Sequence, residues 1–228
     1  MAAAQRSFQE LLPESLRSDP LLDQALTHRS AGPRNNERLE FLGDAVLGLV
    51  IADLLFQRVP DRTEGDLTRL RAALVNRRNL AMLAQRAGLA PSLRLGEGER
   101  KSGGQRRESI LADVLEAVIG ACYLQAGFAA TQGFVASLFA EQLADLPEAE
   151  SLKDPKTRLQ ELTQKRGMGL PTYEVLAAEG PDHARTFTVK IILPGIDHEL
   201  RGQGSSRRNA EQTAAATAVA WLQSKGRE

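Results

Sequence analysis

Residues 36–56, NERLEFLGDAVLGLVIADLLF, decide how the rest of the chain is read. Apolar residues recur every three or four positions, which is the pattern of a helix with a buried face. Asn36 is placed to cap that helix, and Glu37 falls in its first turn, where the helix dipole alone favours a negative charge. Glu40 and Asp44 do not fit that explanation. Four apart, they share one face, where like charges cost roughly 0.2 to 0.5 kcal/mol. Their neighbours Leu39, Phe41, Leu42, Ala45 and Val46 favour burial. Acids in such surroundings must meet cations or be protonated. Ion pairing to Arg38, Arg69 or Arg71 is one reading of them, and a functional site is the other.

A second stretch repeats the arrangement. In ESILADVLEAVIGACYL, residues 108–124, Asp113 and Glu116 are the only charges after Glu108, and Ile110, Leu111, Val114, Leu115, Val118 and Ile119 surround them. If the two helices pack together, Glu40, Asp44, Asp113 and Glu116 form an all-oxygen cluster. Such a donor set suits hard ions, Mg²⁺ or Mn²⁺ in its place, and not zinc. A hard ion with open positions is the arrangement for phosphoryl transfer, where it supplies the nucleophile and neutralises the leaving oxygen.

From residue 7 to about 146 the pattern is helical, with apolar spacings such as Leu67, Leu70 and Leu74. LPEAESLKDP, residues 146–155, breaks it with two prolines and mixed charge. Beyond lies a helix with Leu159 and Leu162 on one face, then two antiparallel strands, with Tyr173, Val175 and Ala177 in the first and Phe187, Val189 and Ile191 in the second. The Pro194-Gly195 turn leads to a short strand at residues 198–201, and a last helix places Ala210, Ala214, Ala218 and Trp221 on one stripe. The expected fold is therefore α+β: an all-α domain over residues 1–146, a linker over 147–153, and an α-β-β-β-α domain over 154–226.

The 228 residues hold 29 basic and 29 acidic side chains, and the apolar fraction of 42% excludes a disordered chain. That neutrality is a sum of unlike halves. Residues 1–150 carry 17 basic and 20 acidic side chains, and residues 151–228 carry 12 and 9. A single cysteine, Cys122, excludes a disulfide scaffold or a multi-thiolate zinc site and fits a reducing cytoplasm. The longest apolar run, residues 45–56, is too short to span a bilayer and contains Asp53, and the first residues lack an export pattern. No membrane partner and no organic cofactor are expected.

NERLEFLGDAV closely resembles the signature of the ribonuclease III family. ALTHRS (25–30), TEGDLTRLRA (63–72) and KSGGQRRESILADVLEA (101–117) stand in the order that family shows, and DPKTRLQE (154–161) with GQGSSRRNAEQTAAATA (202–218) looks like the two ends of a double-stranded-RNA-binding domain. The resemblance covers nearly the whole chain in its bacterial form. It implies a homodimeric, Mg²⁺-dependent endoribonuclease that cuts double-stranded RNA, with metal ligands at Glu40, Asp44, Asp113 and Glu116, of which Asp44 and Glu116 match the positions most closely tied to catalysis. Glu37 and Glu64 match supporting acids. Phe41 matches a ring that enters the partner subunit; taken without the resemblance, it reads as ordinary core. The resemblance further implies 5′-phosphate and 3′-hydroxyl products with short 3′ overhangs, and substrates among ribosomal and messenger RNA precursors. A non-catalytic double-stranded-RNA binder that kept the fold is the alternative.

A-form RNA is read through a shallow minor groove and its phosphates. Thr157, Gln160, Glu161 and Gln164 make a polar stripe on one helix, which is equally the solvated face of any such helix. Ser206, Arg207 and Arg208 open the last helix after two glycines, where backbone N–H groups already favour phosphate. His183, by resemblance, reaches a neighbouring minor groove. Glu211 stands where many such domains have a further lysine, which points to a weaker clamp. The loop 94–107, with Arg100, Lys101, Arg106 and Arg107, reads either as an RNA-backbone contact or as a mobile surface loop.

Overall fold

In the computed structural model, which describes residues 8–181 and 184–225, the chain forms two compact units, Met1–Ala149 and Glu150–Glu228. The first is built from helices: α1 (Phe8–Leu11), α2 (Glu14–Arg17), α3 (Pro20–Ala25), α4 (Glu37–Arg58), α5 (Glu64–Leu74), α6 (Arg77–Arg86), α7 (Glu97–Lys101), α8 (Glu108–Leu138) and α9 (Ala140–Ala144). Helix α8 is the axis, and α2, α3, α4 and α6 all pack on it. Leu111, Val114, Leu115, Val118 and Ile119 of α8 and Leu47, Val50, Ile51 and Leu55 of α4 are fully buried. A helix apolar on every side belongs in a core. By length and hydropathy α8 would also suffice to cross a membrane, but most of its apolar stretch is buried inside the unit. It bends at Gly127, whose φ of 76° only glycine adopts readily.

Helices α4 and α8 approach each other closely. A Cβ on Gly43 would collide with the Glu116 carbonyl, and one on Gly120 with the Leu39 carbonyl. Both positions therefore require a hydrogen in place of a side chain, and the two backbones lie directly against each other. Asp53 strengthens the pairing further along, accepting from Gln57 of its own helix at 2.9 Å and from Gln132 of α8 at 2.5 Å.

The start of α4 differs from the sequence expectation. Asn36 already has helical φ and ψ, −86° and −11°, and its side chain makes no cap bond. A capping side chain needs extended backbone, and Asn35 serves instead, its Oδ1 accepting from the Glu37 N–H at 3.1 Å. Asn36 is buried, and its backbone N–H donates to the Thr27 carbonyl at 2.9 Å.

The second unit runs α10 (Pro155–Lys165), β1 (Thr172–Glu179), β2 (Thr186–Ile192), β3 (Leu200–Gly204) and α11 (Arg207–Lys225). The strands form one antiparallel sheet in the order β1-β2-β3. Leu159, Val189, Ile191 and Leu200 pack on Ala210, Ala214, Ala218 and Leu222 of α11. The third strand lies two residues later than the 198–201 of the sequence reading. Its glycines explain the difference: a Cβ at Gly202 or Gly204 would strike the backbone of α11, so this strand is selected by helix packing and lacks the β-branched pattern of a strand.

Replacing Gly120 or Gly43 by alanine forces α4 and α8 apart. Overpacking of this kind costs about 1 to 3 kcal/mol, occasionally more, and urea denaturation of the full chain should show the loss for either variant.

Candidate active site and RNA-facing surface

Because α4 and α8 touch at Gly43 and Gly120, the acids that flank those glycines converge. One carboxylate oxygen each from Glu40, Asp113 and Glu116 lies within 4.8 Å of the others. Asp44 lies on the same cleft of about 400 Å³, whose walls also include Phe41 and Arg77. Among the described residues, none of these four acids forms an ion pair. Arg69, one of the cations considered as a partner, is taken by Asp66 at 2.8 Å, inside the Thr63–Asp66 capping box of α5.

The electrostatic consequence is read from the carboxyls. Burial, with the nearby charges of Asp44, Asp113 and Glu40, pushes Glu116 up to about 7. Burial is also the leading cause of the upward shift at Glu40, where Asp113 and Glu37 add to it. Asp113 is raised by burial as well, against the lowering charges of Arg77, His28 and Arg29. Three half-buried acids facing one another, none of them ion-paired among the described residues, form an unbalanced site. An all-oxygen donor set with spare negative charge is the chemistry that accepts a divalent cation.

A second hollow adjoins the first, shares Glu40 and Asp113 with it, and is lined by His28, Arg29, Asn36, Glu37 and Glu99. Glu37 is thus brought beside the cluster, where it lies 3.6 Å from Arg29 and accepts from the Asn35 side-chain amide at 3.3 Å. Glu64 is not brought there. It is exposed in the first turn of α5, accepts from Thr68 at 2.9 Å, and lines neither space. Phe41 is 82% exposed and so is not core. The segment 94–107 is ordered by α7 and two ion pairs, Lys101–Glu97 at 2.6 Å and Arg107–Glu99 at 2.8 Å. Arg77 is the cleft residue that the sequence reading missed. Its one local signal is the string Asn76-Arg77-Arg78-Asn79, two cations at the start of a helix with no acid in its first turn.

In the second unit Thr157, Gln160, Glu161 and Gln164 are all exposed on α10, opposite the buried Leu159. Glu161 accepts from Lys153 at 2.5 Å. The Ser206 hydroxyl accepts from the Asn209 N–H at 3.2 Å and so holds the start of α11, where Arg207 and Arg208 are exposed. Glu211 is mostly buried between two cations, accepting from Lys156 at 2.7 Å and Arg207 at 2.9 Å. The bond from Lys156, with that from Arg207, holds its carboxyl below the ordinary value. The same Lys156 ammonium sits 4.4 Å from the centre of the Tyr173 ring. His183 lies outside the described residues.

The pH dependence follows from Glu116. The unfolded chain loses that proton near the ordinary 4.5, whereas the folded chain holds it to about 7. The unfolded state therefore binds fewer protons across that window, and the stability of the metal-free protein falls as pH rises from 4.5 to 7, then levels off. With solvent screening at a partly exposed group, the loss is on the order of 1 kcal/mol, or roughly 2 to 4 °C in Tm. Melting curves in EDTA should show this decline, and Glu116→Gln should flatten it.

Comparison with known proteins agrees with this layout. The Ribonuclease-III-like family matches residues 18–143, and the double-stranded RNA binding motif matches residues 155–222. Ribonuclease 3 from Idiomarina loihiensis is 50% identical over 216 residues, covering 95% of this chain and 94% of that one. Ribonuclease 3 from Azotobacter vinelandii is 50% identical over 222 residues, or 97% of each chain. A solved structure of the nuclease domain of ribonuclease III from Campylobacter jejuni superposes with a TM-score of 0.54 at 44% identity, covering 58% of this chain and 96% of that one. With an acid-lined cleft in a helical unit, an RNA-binding motif after it, and full-length relatives at half identity, the chain belongs to the ribonuclease III family.

Proposed function

We propose that the chain is a Mg²⁺-dependent, homodimeric endoribonuclease that cleaves double-stranded RNA, with Glu40, Asp44, Asp113 and Glu116 as the metal ligands and Asp44 and Glu116 the most directly engaged in catalysis. The observation that carries this reading is the convergence of Glu40, Asp113 and Glu116 on one space with no cation paired to them. Glu37 and Glu64 are held as supporting acids; Glu37 adjoins the cluster, and Glu64 would act from the rim of the RNA path. Mg²⁺, or Mn²⁺ in its place, would supply an activated water and offset charge on the leaving oxygen. The four carboxylates would hold that ion, and Phe41 lines the same cleft. Glu116, protonated up to about 7 in the metal-free chain, gives up its proton when the site is loaded.

In the hydrolysis, the oxygen of water bonds to phosphorus and the bond from phosphorus to the 3′ oxygen breaks. That oxygen takes both electrons and then a proton, so the products carry 5′-phosphate and 3′-hydroxyl ends. The second unit holds the duplex. Thr157, Gln160, Glu161 and Gln164 face the minor groove, with His183 reaching the next one, and Ser206, Arg207 and Arg208 hold phosphates. The linker is set at 147–153, between a nuclease domain over 1–146 and an RNA-binding domain over 154–226. Precursors of ribosomal and messenger RNA in the cytoplasm are the proposed substrates.

Dimerisation rests on α4. Phe41, Leu49 and Phe56 are 82%, 58% and 71% exposed, and their spacing of seven to eight residues keeps them on one side of the helix. Large apolar side chains aligned on a surface mark an interface. The Campylobacter jejuni nuclease domain is described as having a region involved in dimer formation. A two-fold dimer places two clusters on opposite strands, which yields short 3′ overhangs.

Two outcomes test the proposal. A long RNA duplex should be cut in Mg²⁺ and left intact in EDTA, while Glu116→Ala still binds it and cuts at least roughly 10²-fold more slowly. A wild type that binds and never cuts would make the chain a non-catalytic RNA binder. Phe41→Glu should shift the protein from dimer to monomer in light scattering at micromolar concentration, and a wild type that is already monomeric there would remove the shared cleft.

A further inference from the structure

Arg77 occupies an unusual position. It lines the same cleft as Glu40, Asp44, Asp113 and Glu116, yet among the described residues it forms no ion pair. Its charge is felt in the cluster all the same, since it opposes the upward shift at both Asp113 and Glu116. A guanidinium beside four carboxylates that pairs with none of them has its hydrogen-bonding fork free for another anion.

Its local placement also runs against helix physics. Arg77 is the first residue of α6, and the first turn of that helix holds no acid. Cations there oppose the dipole, at a cost in stability. Residues that break a local rule in this way are expected at functional positions. The turn is held firmly: the Asn76 side chain accepts from the Asn79 N–H at 3.0 Å and donates to the Ala73 carbonyl at 2.7 Å, and the Asn79 side chain donates to the Leu74 carbonyl at 2.6 Å. Arg77 therefore projects from a fixed base.

Charge balance makes the same demand. Four carboxylates repel a phosphodiester, and a single divalent ion leaves the site negative. During hydrolysis the charge on the non-bridging oxygens rises from one to two while the phosphorus is bonded to both the entering and the leaving oxygen. A planar guanidinium can donate two parallel hydrogen bonds to a phosphate and stabilises that rise.

We propose that Arg77 is a catalytic residue of the nuclease, one that grips a non-bridging oxygen of the scissile phosphate and stabilises the charge developing there. The assignment rests on the acid cluster being the hydrolytic site. The competing role is structural, with Arg77 merely moderating repulsion among the acids of the metal-free chain. The two differ in sign. A moderator weakens cation binding, so its loss tightens Mg²⁺ and leaves the saturated rate alone; a phosphate ligand is needed for the rate itself.

The experiment compares full-length wild type, Arg77→Gln and Arg77→Lys, each checked by thermal melting, in single-turnover cleavage of an RNA duplex at saturating RNA and Mg²⁺. Arg77→Gln should slow cleavage roughly 10²-fold, the scale of losing one transition-state donor, and Arg77→Lys should retain part of the rate as a point charge. RNA affinity in EDTA should change by no more than about three-fold, because one phosphate contact among many is lost. A single stereodefined phosphorothioate at the scissile position should then slow Arg77→Gln less than it slows wild type, since both changes act on one contact. Wild-type rates in Arg77→Gln, rescue of its loss by raised Mg²⁺, or additive effects for both phosphorothioate stereoisomers would each overturn the assignment. A wild type that does not cut overturns the nuclease reading instead, and it is seen before any variant is compared.

Discussion

Two helices meet backbone to backbone at Gly43 and Gly120, and the geometry of the acid cluster depends on that contact. Side chains of any size at these positions would hold α4 and α8 at the ordinary interaxial distance of 8 to 10 Å for packed helices. With hydrogen atoms there instead, the carbonyls of Leu39 and Glu116 come against the opposing glycines. Glu40, three residues before Gly43, and Asp113 and Glu116, before Gly120, are then drawn within 4.8 Å of one another. Burial and like charge resist this: burial raises the carboxyls of Glu40, Asp113 and Glu116, and neighbouring acids add to the shift at Glu40 and Glu116. What holds the helices together against that repulsion is the buried apolar surface lower down, from Leu47 to Leu55 on α4 and from Val114 to Cys122 on α8. The apolar core thus stabilises an arrangement that its acids alone would disfavour, a familiar division between a supporting scaffold and a strained site.

The two units solve different electrostatic problems. In the first, negative charge is gathered with no ion-paired partner among the described residues, a donor set of the kind that accepts a divalent cation. In the second, cations are positioned by a negative charge: Glu211 sits between Lys156 and Arg207 and holds both. A lysine at 211 would add a positive charge but remove the carboxylate that orders two others. The apparent departure from the usual pattern of the RNA-binding domain therefore places a carboxylate that orders two cations at the start of α10 and α11. The chain's zero net charge conceals both solutions.

How much of this is legible in the sequence depends on whether the cause is local. The acid helices are legible because Glu40, Asp44, Asp113 and Glu116 contradict the apolar pattern around them, and such a contradiction needs no partner to be noticed. The α-β-β-β-α order is legible from period-two runs and turn residues. The glycine crossing is not, since Gly43 and Gly120 matter only for what lies opposite them in space. The same holds for β3, where Gly202 and Gly204 replace strand-forming residues because α11 lies against them, and for Arg77, which is far in sequence from every acid it faces. Asn36 misleads for a local reason. Two asparagines stand in a row, and only the backbone angles show that Asn35 provides the cap while Asn36 is buried. Phe41 misleads in the opposite way, because an aromatic in an apolar run reads as interior, whereas this one is 82% exposed.

The segment from Asn35 to Asp44 carries a cap, a buried amide, three acids, an exposed ring and a glycine contact within about three helical turns. Most residues there answer to a different neighbour: Thr27, Arg29, Asp113, Glu116 and Gly120. Such a stretch has few alternative spellings, because a change that suits one neighbour offends another and the effects are coupled rather than additive. Its ten letters are therefore informative out of proportion to their number: most of them record a separate constraint imposed from elsewhere in the fold, compressed into one turn after another of a single helix.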